Sequence, residues 1–204
     1  MSRILLVEDS PTQAAAISVL LEEAGLEVFE ATTAEAALQI LAEQPVDLML
    51  TDLTLPGLSG IELCQRVKSA PATRDIPVVV MTGSVDVSNV LRSLAAGACA
   101  YASKEREPEL LLATVQEQLT ANGSTEPPVQ QSVQFRDESF ELSVTPSRLL
   151  GVMLSAFEDL SVLNERHETL NVQLEEELRQ RAVAEKALRD SEAIYHSLVE
   201  NVPV

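Results

Sequence analysis

The chain contains no tryptophan, and aromatic residues make up only 3% of its 204 positions. Its core must therefore be built from Leu, Val, Ile and Ala, which 46% apolar residues make feasible. Cysteine is scarce as well. Cys64 and Cys99 each lie inside an apolar pattern, where a free thiol packs as a small hydrophobe, so both are expected to be buried and unpaired in a reducing cytosol. Basic residues are outnumbered, 14 Lys and Arg against 32 Asp and Glu, for a formal net charge of −18. Such a surface repels phosphate backbones and argues against nucleic acid as a partner. Away from one acidic pocket, the excess reads as a solvated face that keeps the protein soluble. No apolar stretch approaches the length of a bilayer span, so no membrane contact is expected. The N-terminus carries one Arg and the short apolar run Ile4–Val7, too little for a signal peptide. The expected location is the cytoplasm.

Residues 1–121 alternate between two periods. Ile4–Val7, Leu26–Glu30, Leu48–Thr51, Val78–Met81 and Cys99–Ala102 read as strands. Helical spacing fills the intervals at Ala14–Ala24, Ala34–Glu43, Gly60–Ser69, Val87–Ala96 and Glu109–Ala121. Strands alternating with helices predict βαβ units, hence a doubly wound α/β domain with a parallel sheet covered on both faces. Ser10-Pro11 opens the first helix and Gly25 closes it, while Thr33 caps the second and Pro45 follows its end.

Beyond residue 121 the pattern changes. Residues 122–132 read as a polar linker. Val133-Gln-Phe-Arg, a turn at Asp137-Glu-Ser and Phe140-Glu-Leu-Ser-Val predict a small hairpin ended by Pro146, so 122–147 forms a linker with a hairpin. Residues 148–198 predict one long helix. Alternating steps of four and three from Leu149 trace a seam through Met153, Ala156, Leu160, Leu163, His167, Leu170 and Leu174. The seam turns polar at Glu177 and Arg181, then continues through Ala184, Leu188, Ser191, Tyr195 and Leu198. A two-stranded coiled coil, most simply a parallel homodimer, follows from that spacing. The alternative is a single amphipathic helix lying on its own domain, which could bury so long a stripe only in part. The chain stops at Asn201-Val-Pro-Val without a capping signal, as a longer protein cut short would.

The chemistry collects where the apolar runs of 1–121 stop. Glu8 and Asp9 follow the first, Asp52 and Thr82 the third and fourth, and Lys104 the last. In an open parallel sheet the carboxyl ends of the strands share one edge, where ligands bind. A carboxylate at position 52 can attack phosphorus and become an acyl phosphate. That gathers negative charge and calls for a cation. Asp9 and Asp52, with Glu8, offer the hard oxygens Mg²⁺ prefers. Lys104 can neutralise a phosphoryl oxygen and the Thr82 hydroxyl can bond another, so the parts supply positioning and charge stabilisation. Each alone has a plainer explanation. An Asp after a strand often caps a helix, acids favour helix N-termini, Thr82-Gly83-Ser84 could be a turn, and Lys104 could be an exposed side chain. Jointly, four strand ends carrying the right group make those explanations improbable.

Four segments in order carry a family resemblance: Ile4-Leu-Leu-Val-Glu-Asp-Ser, Thr51-Asp-Leu-Thr-Leu-Pro-Gly-Leu-Ser-Gly, Pro77-Val-Val-Val-Met-Thr-Gly and Gly97-Ala-Cys-Ala-Tyr-Ala-Ser-Lys. With them, residues 1–121 resemble a CheY-like response-regulator receiver domain of two-component signalling. The resemblance implies a five-stranded flavodoxin-like sheet in the order 2-1-3-4-5. It implies Asp52 as phosphoacceptor, Glu8 and Asp9 as the acidic pair, and Asp9, Asp52 and the backbone carbonyl of Thr54 around Mg²⁺. Thr82 and Lys104 would grip the phosphoryl group, and Tyr101 would be an aromatic switch, unless its ring merely half-covers the last strand. The donor would be a phosphohistidine on a partner histidine kinase or phosphotransfer protein. Pro56 and Gly60 suit the loop after the acceptor, where Pro fixes one dihedral and Gly permits close approach. One departure is that Glu105 follows Lys104 where the family usually has Pro; the nearest proline is Pro108.

The tail from Leu188 resembles the linker helix and opening residues of a PAS domain, which would begin in 199–204. Residues from Phe135 to about Leu174 resemble the hairpin and helix after the receiver in some hybrid sensor kinases. His167-Glu-Thr-Leu-Asn has the outline of a kinase phosphorylation box but lacks its continuation, so His167 is read as a seam position and His196 as solvent-facing. On this reading the fragment is a signalling module rather than an enzyme, beyond catalysing its own phosphorylation and hydrolysis. Two alternatives remain: a receiver-like dimerisation scaffold with an unused pocket, and a flavin-binding protein, against which Glu8-Asp9 would repel the cofactor phosphate.

Overall fold

A computed structural model of the chain describes residues 1–83, 86–104, 108–120, 129–146, 149–153, 161, 164 and 166–181. The chain divides into two compact units, Met1–Asp159 and Leu160–Val204.

The first unit opens with five strands and five helices in strict alternation. They are β1 (Arg3–Val7), α1 (Pro11–Glu23), β2 (Glu27–Ala31), α2 (Ala34–Glu43), β3 (Leu48–Asp52), α3 (Gly60–Ser69), β4 (Val78–Thr82), α4 (Val87–Ala95), β5 (Ala100–Ser103) and α5 (Pro108–Thr120). All strand pairs are parallel, in the order β2-β1-β3-β4-β5. The expected sheet is therefore present, with ends shifted by a residue or two where strands meet loops. Two shifts matter: β3 and β4 each extend one residue further than expected, making Asp52 and Thr82 the last residues of their strands.

Side-chain alternation divides the core into two layers. Leu5, Val7, Met49, Val78 and Val80 pack against Ala37 and Leu41 of α2 and Leu63, Cys64 and Val67 of α3. Ile4, Leu6, Leu48, Leu50, Val79 and Met81 face the opposite way, against Ala14 and Leu21 of α1 and Val115 of α5. β3 and β4 are buried along their whole length, as strands covered on both faces must be. Aliphatic side chains carry both layers, as the aromatic-poor composition requires. Helix punctuation follows the sequence. Thr33 Oγ1 accepts from the Ala36 amide at 3.2 Å, and Gly25 closes α1 at φ +81°. Ser59 and Glu62 form a reciprocal capping box at the start of α3. The Ser59 donors hold the Glu62 carboxyl below its usual range.

Both cysteines are buried and free. Burial pushes the Cys64 thiol up to about 12, against a smaller lowering by Lys68. The thiolate is the reactive species, so native protein at about pH 8 is expected to resist alkylation at Cys64, which should react once denaturant is added. Mass spectrometry of iodoacetamide-treated protein checks this; rapid native labelling of Cys64 would contradict it.

The hairpin is longer than expected and starts earlier. β6 (Val129–Phe135) pairs antiparallel with β7 (Glu138–Val144), Val129 opposite Val144 and Phe135 opposite Glu138. The linker thus gives way to strand at residue 129 rather than after 132. The turn is Arg136-Asp137, with Glu138 and Ser139 already in β7. Arg136 takes the left-handed φ of +54°, its guanidinium carbon 5.4 Å from the centre of the Phe135 ring. Phe140, Leu142 and Val144 share one buried face with Val90 and Leu94 of α4, Tyr101 of β5 and Val152. The hairpin therefore belongs to the same compact unit as the sheet.

Within the second unit, residues 166–181 are helical and exposed. Leu170, Leu174 and Leu178 line up at four-residue steps and are each more than half exposed. Glu177 and Arg181, the polar break in the expected seam, pair with each other at 2.8 Å one turn apart. His167 is exposed on this helix. The seam positions Ala156, Leu160 and Leu163 and those from Ala184 on, His196 and the expected PAS start lie outside the described residues, as does Glu105. No helix among the described residues is long and apolar enough to cross a membrane.

Candidate functional site

The strand order reverses between β1 and β3, and the crevice beyond the carboxyl ends at that point is where such sheets bind ligands. The register brings the chemistry level there. Val7 pairs with Thr51, Asp52 with Met81, and Thr82 with Ser103. Glu8 and Asp9 follow β1 directly, and Lys104 follows β5. The Lys104 amide donates to the Thr82 carbonyl at 2.8 Å, tying the ends of β4 and β5 together.

Glu8, Asp9 and Asp52 each offer a carboxylate oxygen, and these oxygens lie within 4.8 Å of one another. Glu8 is only 1% exposed, Asp52 is buried, and Asp9 faces solvent. The Lys104 ammonium sits among them. Its Nζ lies 2.5 Å from Glu8 Oε2 and 2.8 Å from Asp52 Oδ2. A third donor reaches Gln13 Oε1 at 2.9 Å. The other Glu8 oxygen accepts from the Ser10 amide at 3.3 Å. A buried carboxylate is costly unless paired and hydrogen-bonded, and Glu8 meets both conditions. Three anionic groups against one cation leave room for further positive charge, and the donors are all hard oxygens, the set a small divalent ion takes.

The loop carrying the acceptor is held from beneath. The Leu53 amide donates to the Met81 carbonyl at 2.8 Å, and the Gly60 amide to Leu53 at 3.0 Å. Gly60 passes so close to β3 that a Cβ there would stand 1.9 Å from the Asp52 carbonyl oxygen. The reading of Gly60 as a point of close approach thus has a concrete contact behind it. Thr54 lies in this loop, exposed, two residues past Asp52. Thr82 is buried at the end of β4.

The structure brings carboxylate oxygens of Glu8, Asp9 and Asp52 within 4.8 Å of one another and pairs Lys104 with Glu8 and Asp52, with Thr82 bound to Lys104 through the backbone. Tyr101 stands apart. Its ring is 4% exposed and packs with Val90, Leu94 and Phe140, so it is covered rather than half-covered. Sequence reasoning missed Gln13, the third partner of Lys104. It lies three residues inside the first helix, and no residue spacing marks it.

Residues 4–116 match the sequence profile of the response regulator receiver domain. The chain is 36% identical over 129 residues to the phosphate regulon transcriptional regulatory protein PhoB of Pseudomonas aeruginosa, covering 62% of this chain and 56% of that protein. It is 32% identical over 165 residues to PhoB of Escherichia coli, covering 75% and 72%. Among solved structures, the signal receiver domain of a histidine kinase from Syntrophus aciditrophicus superposes with a TM-score of 0.57 at 34% identity, over 62% of this chain and 96% of that one. A CheY-like receiver domain protein of Methanospirillum hungatei gives 0.56 at 31%, over 60% and 96%. The profile spans more than half of the chain, including the strand ends where the acidic cluster lies, and the chain belongs to the response regulator receiver domain family.

Proposed function

We propose that this chain is a phosphoacceptor module of a phosphorelay, taking a phosphoryl group onto Asp52 from a phosphohistidine on a histidine kinase or phosphotransfer protein. The observation that carries this is the Asp52 carboxylate 2.8 Å from the Lys104 ammonium, within a cluster of three carboxylates at the sheet edge. In the transfer, an Asp52 carboxylate oxygen bonds to phosphorus as the donor's phosphorus–nitrogen bond breaks and its electron pair returns to the imidazole. Lys104 holds a phosphoryl oxygen and thereby offsets the added charge. Thr82, tied to Lys104 across the strand ends, donates its hydroxyl to another. Asp9 and Asp52, with Glu8 and the Thr54 carbonyl, would hold Mg²⁺, which when bound supplies the positive charge this acidic pocket otherwise lacks. Tyr101 carries the change out of the pocket.

The fragment acts as a signalling module, its only catalysis being phosphorylation and hydrolysis of its own aspartate. The output passes to the helix containing residues 166–181. The exposed Leu170, Leu174 and Leu178 support a parallel homodimer through that helix. A hybrid sensor kinase of the cytoplasm, continuing into a PAS domain, is the whole protein this reading favours.

Incubation with acetyl phosphate and Mg²⁺ tests it. One acid-labile phosphoryl group per chain is expected, located at position 52 by borohydride reduction and peptide mass, and not incorporated when the metal is chelated beforehand. Absence of labelling, or labelling that persists in Asp52→Asn, would reject the proposal and favour a scaffold with an idle pocket.

A further inference from the structure

We propose that the outer edge of β6 is a site of strand addition, and that its occupant is β6 of a second copy of this chain, paired antiparallel about a two-fold axis at Ser132. The proposal goes beyond the phosphoacceptor reading and does not depend on it. Among the described residues, β6 pairs with β7 alone. The two-residue turn Arg136-Asp137 closes on the pair Phe135–Glu138, which such a turn hydrogen-bonds. Bonded pairs then recur at Val133–Phe140, Gln131–Leu142 and Val129–Val144. The amides and carbonyls of Gln130, Ser132 and Gln134 therefore point away from β7, and all three residues are exposed.

Natural sheets blunt an open edge with charge, proline or a bulge. β6 has none of these. Val-Gln-Gln-Ser-Val-Gln-Phe carries no charged residue in a chain that is 23% charged, and its register with β7 is unbroken. β7, by contrast, carries Glu138 and Glu141. The missing charge points to a second copy as the occupant. A strand laid antiparallel on itself brings like residues together near the axis, so a charge there would meet its own sign. With Ser132 on the axis, its outward groups meet those of Ser132 in the second copy, and Gln130 meets Gln134. Every outward group of these three residues then has a partner. Between them, Val129 is set against Phe135 of the second copy, in the pairs where side chains approach most closely. Both lie on the hairpin face that carries Phe140 and Val144, where Val129 is 50% exposed and Phe135 only partly buried. Pairing covers apolar surface that one hairpin leaves open. The joined sheet then ends in β7 on both sides, and Glu141 opposes further growth.

The test follows amide hydrogen exchange residue by residue by NMR, with mass from light scattering on the same samples. It uses the full chain and its variant Leu170→Lys/Leu174→Lys, which removes the helix seam so that strand pairing is read by itself. As the concentration of this variant rises, its mass should climb from monomer to dimer. The amides of Gln130, Ser132 and Gln134 should slow about tenfold in step, while those of Gln131 and Val133, already bonded to β7, change little. Fast exchange at the three amides at every concentration overturns the proposal. Slow exchange in dilute, monomeric protein means that a segment of the same chain covers the edge, and overturns it too. A second arm tests the register in the same background. Gln130→Lys/Gln134→Lys should weaken pairing about tenfold, and Gln130→Lys/Gln134→Glu, which sets opposite charges across the axis, should restore it. Equal pairing by both variants overturns the two-fold register and the proposal with it.

Discussion

Replacing Lys104 with alanine is expected to cost about 3 kcal/mol of stability at neutral pH and to slow phosphorylation of Asp52 roughly a hundredfold. The stability loss comes from Glu8 rather than from Lys104 itself. Glu8 is 1% exposed and depends on the ammonium at 2.5 Å for its principal partner. Removing that cation leaves a buried carboxylate beside those of Asp9 and Asp52, within 4.8 Å. Taking away one member of a buried pair is far costlier than replacing both. The double variant Glu8→Gln/Lys104→Ala should therefore regain most of the lost stability while remaining slow to phosphorylate. Urea unfolding of the three proteins, alongside acetyl phosphate labelling, separates the two effects. A single variant as stable as the parent would show that Glu8 does not need the ion pair, and a double variant that labels normally would remove Lys104 from the transfer.

Glu8, Asp52 and Lys104 all end or directly follow strands, which is also why the site is legible in the sequence. A parallel sheet forces the carboxyl ends onto one edge, so Glu8, Asp9, Asp52, Thr82 and Lys104 could be placed together without knowing a single distance. The continuous apolar runs of β3 and β4 identified the buried centre of the sheet for the same reason. What escaped was whatever depends on which surfaces meet. Alternation in Phe140-Glu-Leu-Ser-Val says that one face of the hairpin is covered but not by what, and the partner lies some forty residues earlier on α4 and β5. The start of β6 escaped because Gln130, Gln131 and Ser132 are polar, and their place in the ladder comes from pairing with β7 rather than from their own pattern. The turn escaped because Arg136, not glycine or asparagine, takes the positive φ. Gln13 meets Lys104 only because α1 and the residue after β5 converge in space.

Among the described glycines, Gly60→Ala should be the most damaging substitution, lowering stability by about 3 kcal/mol, the upper end of what overpacking costs. The added Cβ would lie 1.9 Å from the Asp52 carbonyl oxygen, 2.9 Å from its carbonyl carbon and 3.2 Å from Thr51 Oγ1. Two of these three are backbone atoms, so no rotamer change relieves the clash. Either β3 retreats at its last residue or the first turn of α3 lifts away. The second escape is resisted by the Ser59–Glu62 capping box and by the Gly60 amide bond to Leu53. Strand β3 is then the element that moves, and Asp52 moves with it. The variant should accordingly lose phosphorylation under conditions where it remains folded, because a carboxylate displaced by a fraction of an ångström no longer meets Lys104 and the incoming phosphorus together. Gly83 supplies the comparison. It follows Thr82 directly, yet a Cβ there meets nothing within 4 Å, so Gly83→Ala should stay within about 0.5 kcal/mol of the parent. Denaturation midpoints for the two alanine variants, read with acetyl phosphate labelling below the transition, decide the matter. Equal midpoints would mean that β3 and α3 can part at no cost, and the acceptor would then not be held by the close crossing at Gly60.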